Sequence, residues 1–310
     1  MVAVQSLRPS PLQPGDVIRF VTPASPLARE KISDAITLFE SWGYTVQLAP
    51  HALDRTDYLA GPDLDRANDL REAFEDSEVS AVYCTRGGYG CARLFPYLDL
   101  DLIAGSRKLF LGFSDITTLH LALNKRGLAT VHAPMALTLA TRRSDWVYES
   151  LRRSLVGENP IPPDAPTGEC LVEGSAEGEV VGGCLCLICD SLGTPEELDF
   201  AGKIVLIEDV DESSHRVDAL LTHLLNTGSL ARAAGIVVGE MTRSDERIDE
   251  GIGGRPWREI VRERLGPLGV PCILDFPFGH MKDMLSLPLG VRARLDANRG
   301  TLEYMEAHCE

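Results

Sequence analysis

Ser114 stands where two patterns meet. The run Leu109-Phe-Leu-Gly-Phe113 is short and apolar, as a buried strand is, and from Asp115 to about Arg126 apolar residues recur at helical spacing. A strand-to-helix junction lies at the carboxyl edge of a parallel sheet, where open α/β folds place their ligands. A sharp turn there pushes the serine side chain out of the strand and opens its hydroxyl to one side. The N–H of Asp115, in the first turn of the helix, has no partner within the helix and can donate to an oxyanion. Gly112 removes a side chain that would crowd the turn. This is the logic of a nucleophile elbow, although the glycine that the Gly-x-Ser-x-Gly pattern wants at 116 is Ile116. A plainer reading makes Ser114 or Asp115 a helix cap.

A serine nucleophile needs a base, and the base needs an orienting acid. Of the seven histidines, His280 and His132 are the best placed. His280 follows Asp275-Phe-Pro-Phe-Gly279 just past a strand, and His132 sits near the end of another. The acid comes from Val205-Leu-Ile-Glu-Asp-Val-Asp-Glu212, in which Glu208 is the first polar residue after a buried run. Its neighbours Asp209, Asp211 and Glu212 read as a solvated loop; together with His215 they could instead form an oxygen-rich cation site. The turn Arg86-Gly-Gly-Tyr-Gly90 matches no nucleotide-binding fingerprint. It can bring a second backbone N–H close to a substrate, and Arg86 can pair with a substrate carboxylate. The cluster Cys184-x-Cys186-x-x-Cys189 does not have zinc-knuckle spacing and has no second half. Neither metal nor cofactor is expected.

The elements that must position these groups alternate. Strands are expected at 16–22, 44–48, 79–84 and 109–113, with amphipathic helices between them, which predicts a parallel sheet covered on both faces. The rhythm breaks at Glu158-Asn-Pro-Ile-Pro-Pro-Asp-Ala-Pro-Thr-Gly168, where proline can continue neither a helix nor a central strand. The expected organisation is an N-terminal domain over 1–157, a linker over 158–178 and a C-terminal domain over 179–310. Strands at 179–181, 203–207, 235–239 and 272–276 follow, with a helix from about 183 and a closing hairpin that turns at Asn298-Arg-Gly300. Residues 1–15 read as an irregular lead-in without a signal-peptide core. The 310 residues carry a formal charge of −16. Such a surface repels nucleic acid and anionic membranes, and no apolar run approaches the ~20 residues of a membrane helix. A cytoplasmic protein with free core thiols is expected.

Taken in order, "GDVIRFVTPASP", "TRGGYG", "LGFSDIT", "VHAP", the Gly182–Gly183 pair, "GKIVLIEDVDE" and "FPFGH" resemble the LD-carboxypeptidase family of serine peptidases, which includes the microcin immunity hydrolases. The resemblance covers nearly the whole chain. It implies an α/β fold: an N-terminal parallel-sheet domain like that of class I glutamine amidotransferases, followed by a smaller C-terminal α/β domain. It implies Ser114 as nucleophile, Glu208 as orienting acid and His280 as base, with oxyanion donors from the backbone of Asp115 and Gly88. It further implies a homodimer acting on a small peptide, a cytosolic murein tetrapeptide cut before its terminal D-alanine in peptidoglycan recycling. The alternative substrate is the amide of a toxic aminoacyl-nucleotide analogue. One departure stands out: many relatives have Gly-Gly-Asn where this chain has Gly182-Gly-Cys184.

Overall fold

The computed structural model describes residues 6–248, 251 and 253–310. In chain order its strands and helices begin β1 (Val17–Val21), α1 (Arg29–Ser41), β2 (Thr45–Leu48), α2 (Asp63–Glu75), β3 (Val79–Cys84), α3 (Leu100–Gly105) and β4 (Leu109–Gly112). Then come α4 (Thr117–Lys125), β5 (Thr130–His132), α5 (Ala136–Leu139), α6 (Asp145–Leu155), β6 (Glu169–Val172), β7 (Ser175–Cys184) and α7 (Leu185–Ser191). The chain continues through β8 (Ile204–Val210), α8 (Ser214–Thr227), β9 (Gly235–Thr242), α9 (Trp257–Leu265) and β10 (Cys272–Leu274). It closes with β11 (Leu287–Leu289), β12 (Val291–Asp296) and β13 (Thr301–Tyr304). These elements form two compact units, one of residues 1–162, 285–290 and 307–310, the other of 163–284 and 291–306.

The sheet of the first unit runs β11-β5-β4-β3-β1-β2, five parallel strands edged by antiparallel β11. Reading from β2, the parallel strands follow the order 2-1-3-4-5, so the direction of winding reverses between β1 and β3. Loops leaving the carboxyl ends of two such strands diverge and leave a crevice. The central strands β3 and β4 are buried on both faces, which is why they read as apolar runs rather than alternations. On one face Phe20, Phe39 and Tyr83 form an aromatic cluster with centroids 4.7–5.5 Å apart. Each such ring contributes roughly 1.5–3 kcal/mol by burial.

The second unit's sheet runs β13-β12-β7-β8-β9-β10-β6, with β7 to β10 parallel and the rest antiparallel. The expected hairpin is present: β12 pairs with β13 in register Asp296 to Thr301. Gly182 and Gly183, both at positive φ, let β7 pass close to β8, since a Cβ on Gly182 would lie 2.3 Å from the Leu206 carbonyl oxygen.

Three expectations change. The segment expected as linker includes β6 and the start of β7. Its prolines end at Pro166, and β6 is an edge strand paired on one side only, so the proline-rich stretch ahead of it breaks no ladder. The C-terminal part is also not one block, because β11 and residues 307–310 belong to the first unit. There Cys309 is buried, and the carbonyl of Ser154 accepts a 2.7 Å bond from His308 Nε2. Finally, the expected lead-in is pinned: Leu7 exchanges backbone bonds with Gly127 and Ala129 at 2.8 and 2.9 Å. Its first five residues lie outside the described residues.

Candidate active site

In the first unit, Ser114 follows β4 directly and has φ of +64°, a left-handed conformation that L-residues other than glycine rarely adopt. Phe113 before it is extended, and a short 3₁₀ turn of Ser114–Ile116 leads into α4. Such backbone strain costs about 1–3 kcal/mol and persists only where its surroundings enforce it. Here the enforcement is visible. Ile116 folds back over Gly112, where a Cβ would meet its side chain at 2.9 Å. His120, one turn into α4, donates from Nε2 to the Gly112 carbonyl at 2.9 Å. That carbonyl can only accept, so Nδ1 is the unprotonated nitrogen and accepts from Thr130 Oγ1, also at 2.9 Å. Burial pushes the His120 pKa down to about 3, so the ring is a neutral brace.

The glycine turn after β3 packs against this elbow. A Cβ on Gly87 would lie 2.7 Å from Ser114 Cβ, 2.9 Å from its Oγ and 3.1 Å from the Asp115 nitrogen. The glycine against the serine is therefore Gly87, which sequence reasoning passed over. Gly88 has φ of +109° and lies over Ser25, whose Oγ accepts from the Tyr89 N–H at 3.2 Å. The Asp115 carboxylate is buried and accepts from the Cys91 N–H at 2.8 Å, fixing the far end of the same turn. Arg66 of α2, also missed, is 1% exposed and donates to the carbonyls of both crevice loops, Pro23 after β1 and Gly90 after β3. Its visible signal was a lone arginine on the apolar face of a helix. Arg86 donates to the Pro26 carbonyl at 3.0 Å and forms no ion pair among the described residues, and burial lowers its pKa. His132 is fully buried, with its ring 5.5 Å from that of Phe113.

In the second unit, the structure brings Glu208 and His280 together. His280 Nδ1 lies 2.7 Å from Glu208 Oε2, and the His280 backbone N–H donates to the same oxygen at 3.1 Å. Glu208 is fully buried on β8, and His280 is largely covered. The loop that delivers the histidine is anchored by buried Phe276 and Phe278. Gly239 allows the loop to cross β9, since a Cβ there would lie 2.6 Å from the Phe278 carbonyl oxygen. Gly279 has φ of +93°, and a Cβ on it would strike the Glu208 carboxyl group at 2.5 Å, so only glycine lets the backbone fold over that acid. Burial opposes protonation of His280, but the charge and hydrogen bond of Glu208 more than offset it, and the imidazole pKa is raised. An imidazole with one nitrogen held by a carboxylate has its tautomer set and its other nitrogen directed to accept a proton.

The acidic stretch after Glu208 is not a solvated loop throughout. Strand β8 extends through Val210, so Asp209 is 1% exposed. Burial, then the adjacent Glu208, pushes its carboxyl pKa up to about 6. Asp211 binds Arg243 and Arg247, and Glu212 faces Arg216 at 3.6 Å. Those carboxylates are thus engaged with arginines, and His215 contacts Ser213 instead.

Two family descriptions match the chain: the LD-carboxypeptidase N-terminal domain over residues 18–133 and the LD-carboxypeptidase C-terminal domain over 177–295. A protein of Streptomyces coelicolor is 40% identical over 304 residues, 96% of this chain and 95% of its own. The murein tetrapeptide carboxypeptidase of Pseudomonas aeruginosa is 31% identical over 294 residues, 91% of this chain and 94% of its own. The structure of MccF in complex with glutamyl sulfamoyl guanosine has the same fold, with a TM-score of 0.87 at 23% identity over 98% of this chain and 100% of that one. The chain is a serine peptidase of the LD-carboxypeptidase family.

Proposed function

We propose that this peptidase releases the terminal D-alanine of a murein tetrapeptide through an acyl-enzyme, with Ser114 as nucleophile, His280 as base and Glu208 as orienting acid. The observation that carries the proposal is the strained turn at Ser114, whose φ of +64° presents a hydroxyl at the carboxyl edge of a parallel sheet. His280 takes the Ser114 proton as Oγ bonds to the amide carbonyl carbon. The N–H groups of Asp115 and Gly88 stabilise the oxyanion, each worth roughly 100 to 1000-fold in turnover. The C–N bond then breaks, the leaving amine takes the proton from His280, and water attacks the ester by the reverse path. Glu208 supports the imidazolium throughout. Arg86, without a carboxylate of its own among the described residues, suits the anionic peptide. By the same family resemblance we place the reaction in cytoplasmic peptidoglycan recycling, carried out by a homodimer.

A second reading has one observation in its favour. Tyr58 and Tyr89 are both exposed, with ring centroids 6.0 Å apart, and Tyr89 follows Gly88 directly. Such rings can stack on a base and so help to hold the nucleoside part of an aminoacyl-nucleotide amide. The test is incubation with murein tetrapeptide and, separately, with an aminoacyl sulfamoyl nucleoside, reading products by mass spectrometry for wild type and Ser114→Ala. D-alanine released by wild type alone is expected. Cleavage of the nucleoside substrate only transfers the proposal to the second reading.

A further inference from the structure

We infer that Cys184, Cys186 and Asp209 form a site for a thiophilic divalent cation, with zinc as the reference ion. Cys184 ends β7, Cys186 lies in the first turn of α7, and Asp209 reaches them from β8, the neighbouring parallel strand. Their ligand atoms all lie within 4.8 Å of one another. The two sulfurs are 3.4 Å apart, and Asp209 Oδ1 is 3.5 Å from Cys184 Sγ and 3.8 Å from Cys186 Sγ. A tetrahedral zinc ion with bonds of about 2.3 Å to sulfur and 2.0 Å to oxygen spaces its ligands by roughly 3.8 Å for two sulfurs and 3.5 Å for sulfur and oxygen. The three atoms thus stand at nearly the spacing that one such ion imposes.

The charge points the same way. Asp209 is buried, yet among the described residues its hydrogen-bond donors are the N–H groups of Cys186 and Val210 and the two thiols, and the nearby imidazole of His280, whose pKa Asp209 helps to raise, is bonded to Glu208 instead. A buried carboxylate without a counter-charge is costly. Oδ2 accepts from the Cys186 N–H at 2.9 Å, a helix-capping role, while Oδ1 accepts from the Val210 N–H at 2.7 Å and also faces both sulfurs, at 3.5 and 3.8 Å. Cys189, the third cysteine of the motif, points away and donates to the Leu220 carbonyl. Three protein ligands leave one tetrahedral position for water, and the partial exposure of Cys186 provides an entry path. On binding, both thiols give up their protons to solvent, so the cation meets two thiolates and a carboxylate. Two thiolates select zinc, cobalt or cadmium over magnesium or calcium.

The test uses the full chain, reduced with a phosphine. Cobalt(II) is titrated into wild type, Cys184→Ser, Cys186→Ser and, as a control, Cys170→Ser, with circular dichroism to confirm folding. Wild type and Cys170→Ser are expected to bind one cobalt, with thiolate-to-cobalt charge-transfer absorption that zinc abolishes. Cys184→Ser and Cys186→Ser are expected to bind at least about 100-fold more weakly, beyond the roughly 10 to 100-fold lost when a group that only hydrogen-bonds to a ligand is removed. Zinc should also raise the melting temperature of wild type but not of folded Cys186→Ser. No charge-transfer band in wild type, or an equal band in both folded serine variants, overturns the inference.

Discussion

The surroundings of Ser114 and those of Glu208 hold a side chain in a set place by opposite means. Around Ser114 the work is done by backbone shape: a left-handed serine, Gly87 and Gly112 where side chains would collide, and a neutral His120 bonded to a carbonyl. Around Glu208 it is done largely by charge: a fully buried carboxylate bonded to the imidazole and the backbone N–H of His280. In the first arrangement burial holds the His120 pKa down at about 3, so that brace is neutral at working pH. The second takes its strength from a buried carboxylate bonded to an imidazole, a pair that is ionic when the ring is protonated, and removing one partner of a buried ion pair typically costs about 3–5 kcal/mol. Backbone packing therefore depends less on pH than the carboxylate–imidazole pair does, and variants can separate the two.

The largest expected effect is that of Ser114→Ala, which should lower kcat by about 10⁴-fold or more with little change in peptide affinity. Glu208→Gln comes next, with a loss of roughly 10⁴-fold by analogy with other triads. It should also move the acid limb of kcat/KM to lower pH, because the wild-type imidazole pKa is raised by Glu208. The signs for rate and stability are opposite. With His280 as the proposed base, activity should need the neutral ring and so rise with pH through the raised pKa. The stability that the pair adds is present below the unfolded value of about 6.5 and fades as pH climbs through the folded one. A pH–rate profile identical in wild type and Glu208→Gln would show that charge does not set the base.

The matched pair Gly87→Ala and Gly279→Ala sharpens the contrast. Each should cost about 100-fold in kcat, the scale of a 1 Å misplacement. Only Gly279→Ala, which displaces Glu208, should shift the pH limb; a shift in Gly87→Ala would blur the distinction. Arg86→Ala has the smallest expected effect, a rise in KM of about tenfold, or 1.4 kcal/mol, with kcat held. Calorimetric peptide affinity equal to that of wild type would remove Arg86 from the site.

The elbow was legible because its cause is local. A four-residue apolar strand, a glycine and a helical pattern meet at Ser114, and the reversal at that point is dictated by neighbours in sequence. Glu208 was legible as the first polar residue after a buried run, and the hairpin at Asn298-Arg-Gly300 from its turn chemistry. What escaped was non-local. Between His280 and His132 the pattern left a choice, since the carboxylate 72 positions away on another strand is what distinguishes His280. Asp209 read as solvated because β8 runs three residues past the expected end at 207, which turns a loop carboxylate into a buried strand side chain. Gly87 and Gly88 look equivalent in a string of letters; only the packed turn shows which one faces the serine.

The excursion of the chain into the second unit and back has a consequence for biosynthesis. Strand β11 covers the edge of β5, and Cys309 fills the core of the first unit, yet both are translated after most of the second unit. A nascent chain that has emerged only as far as residue 162 presents β5 as an open strand edge, a template for illegitimate pairing. The fold of the first unit therefore stays incomplete until residues 285–290 and 307–310 are made and released, and fragments cut at the apparent boundary near 162 should be recovered as aggregates.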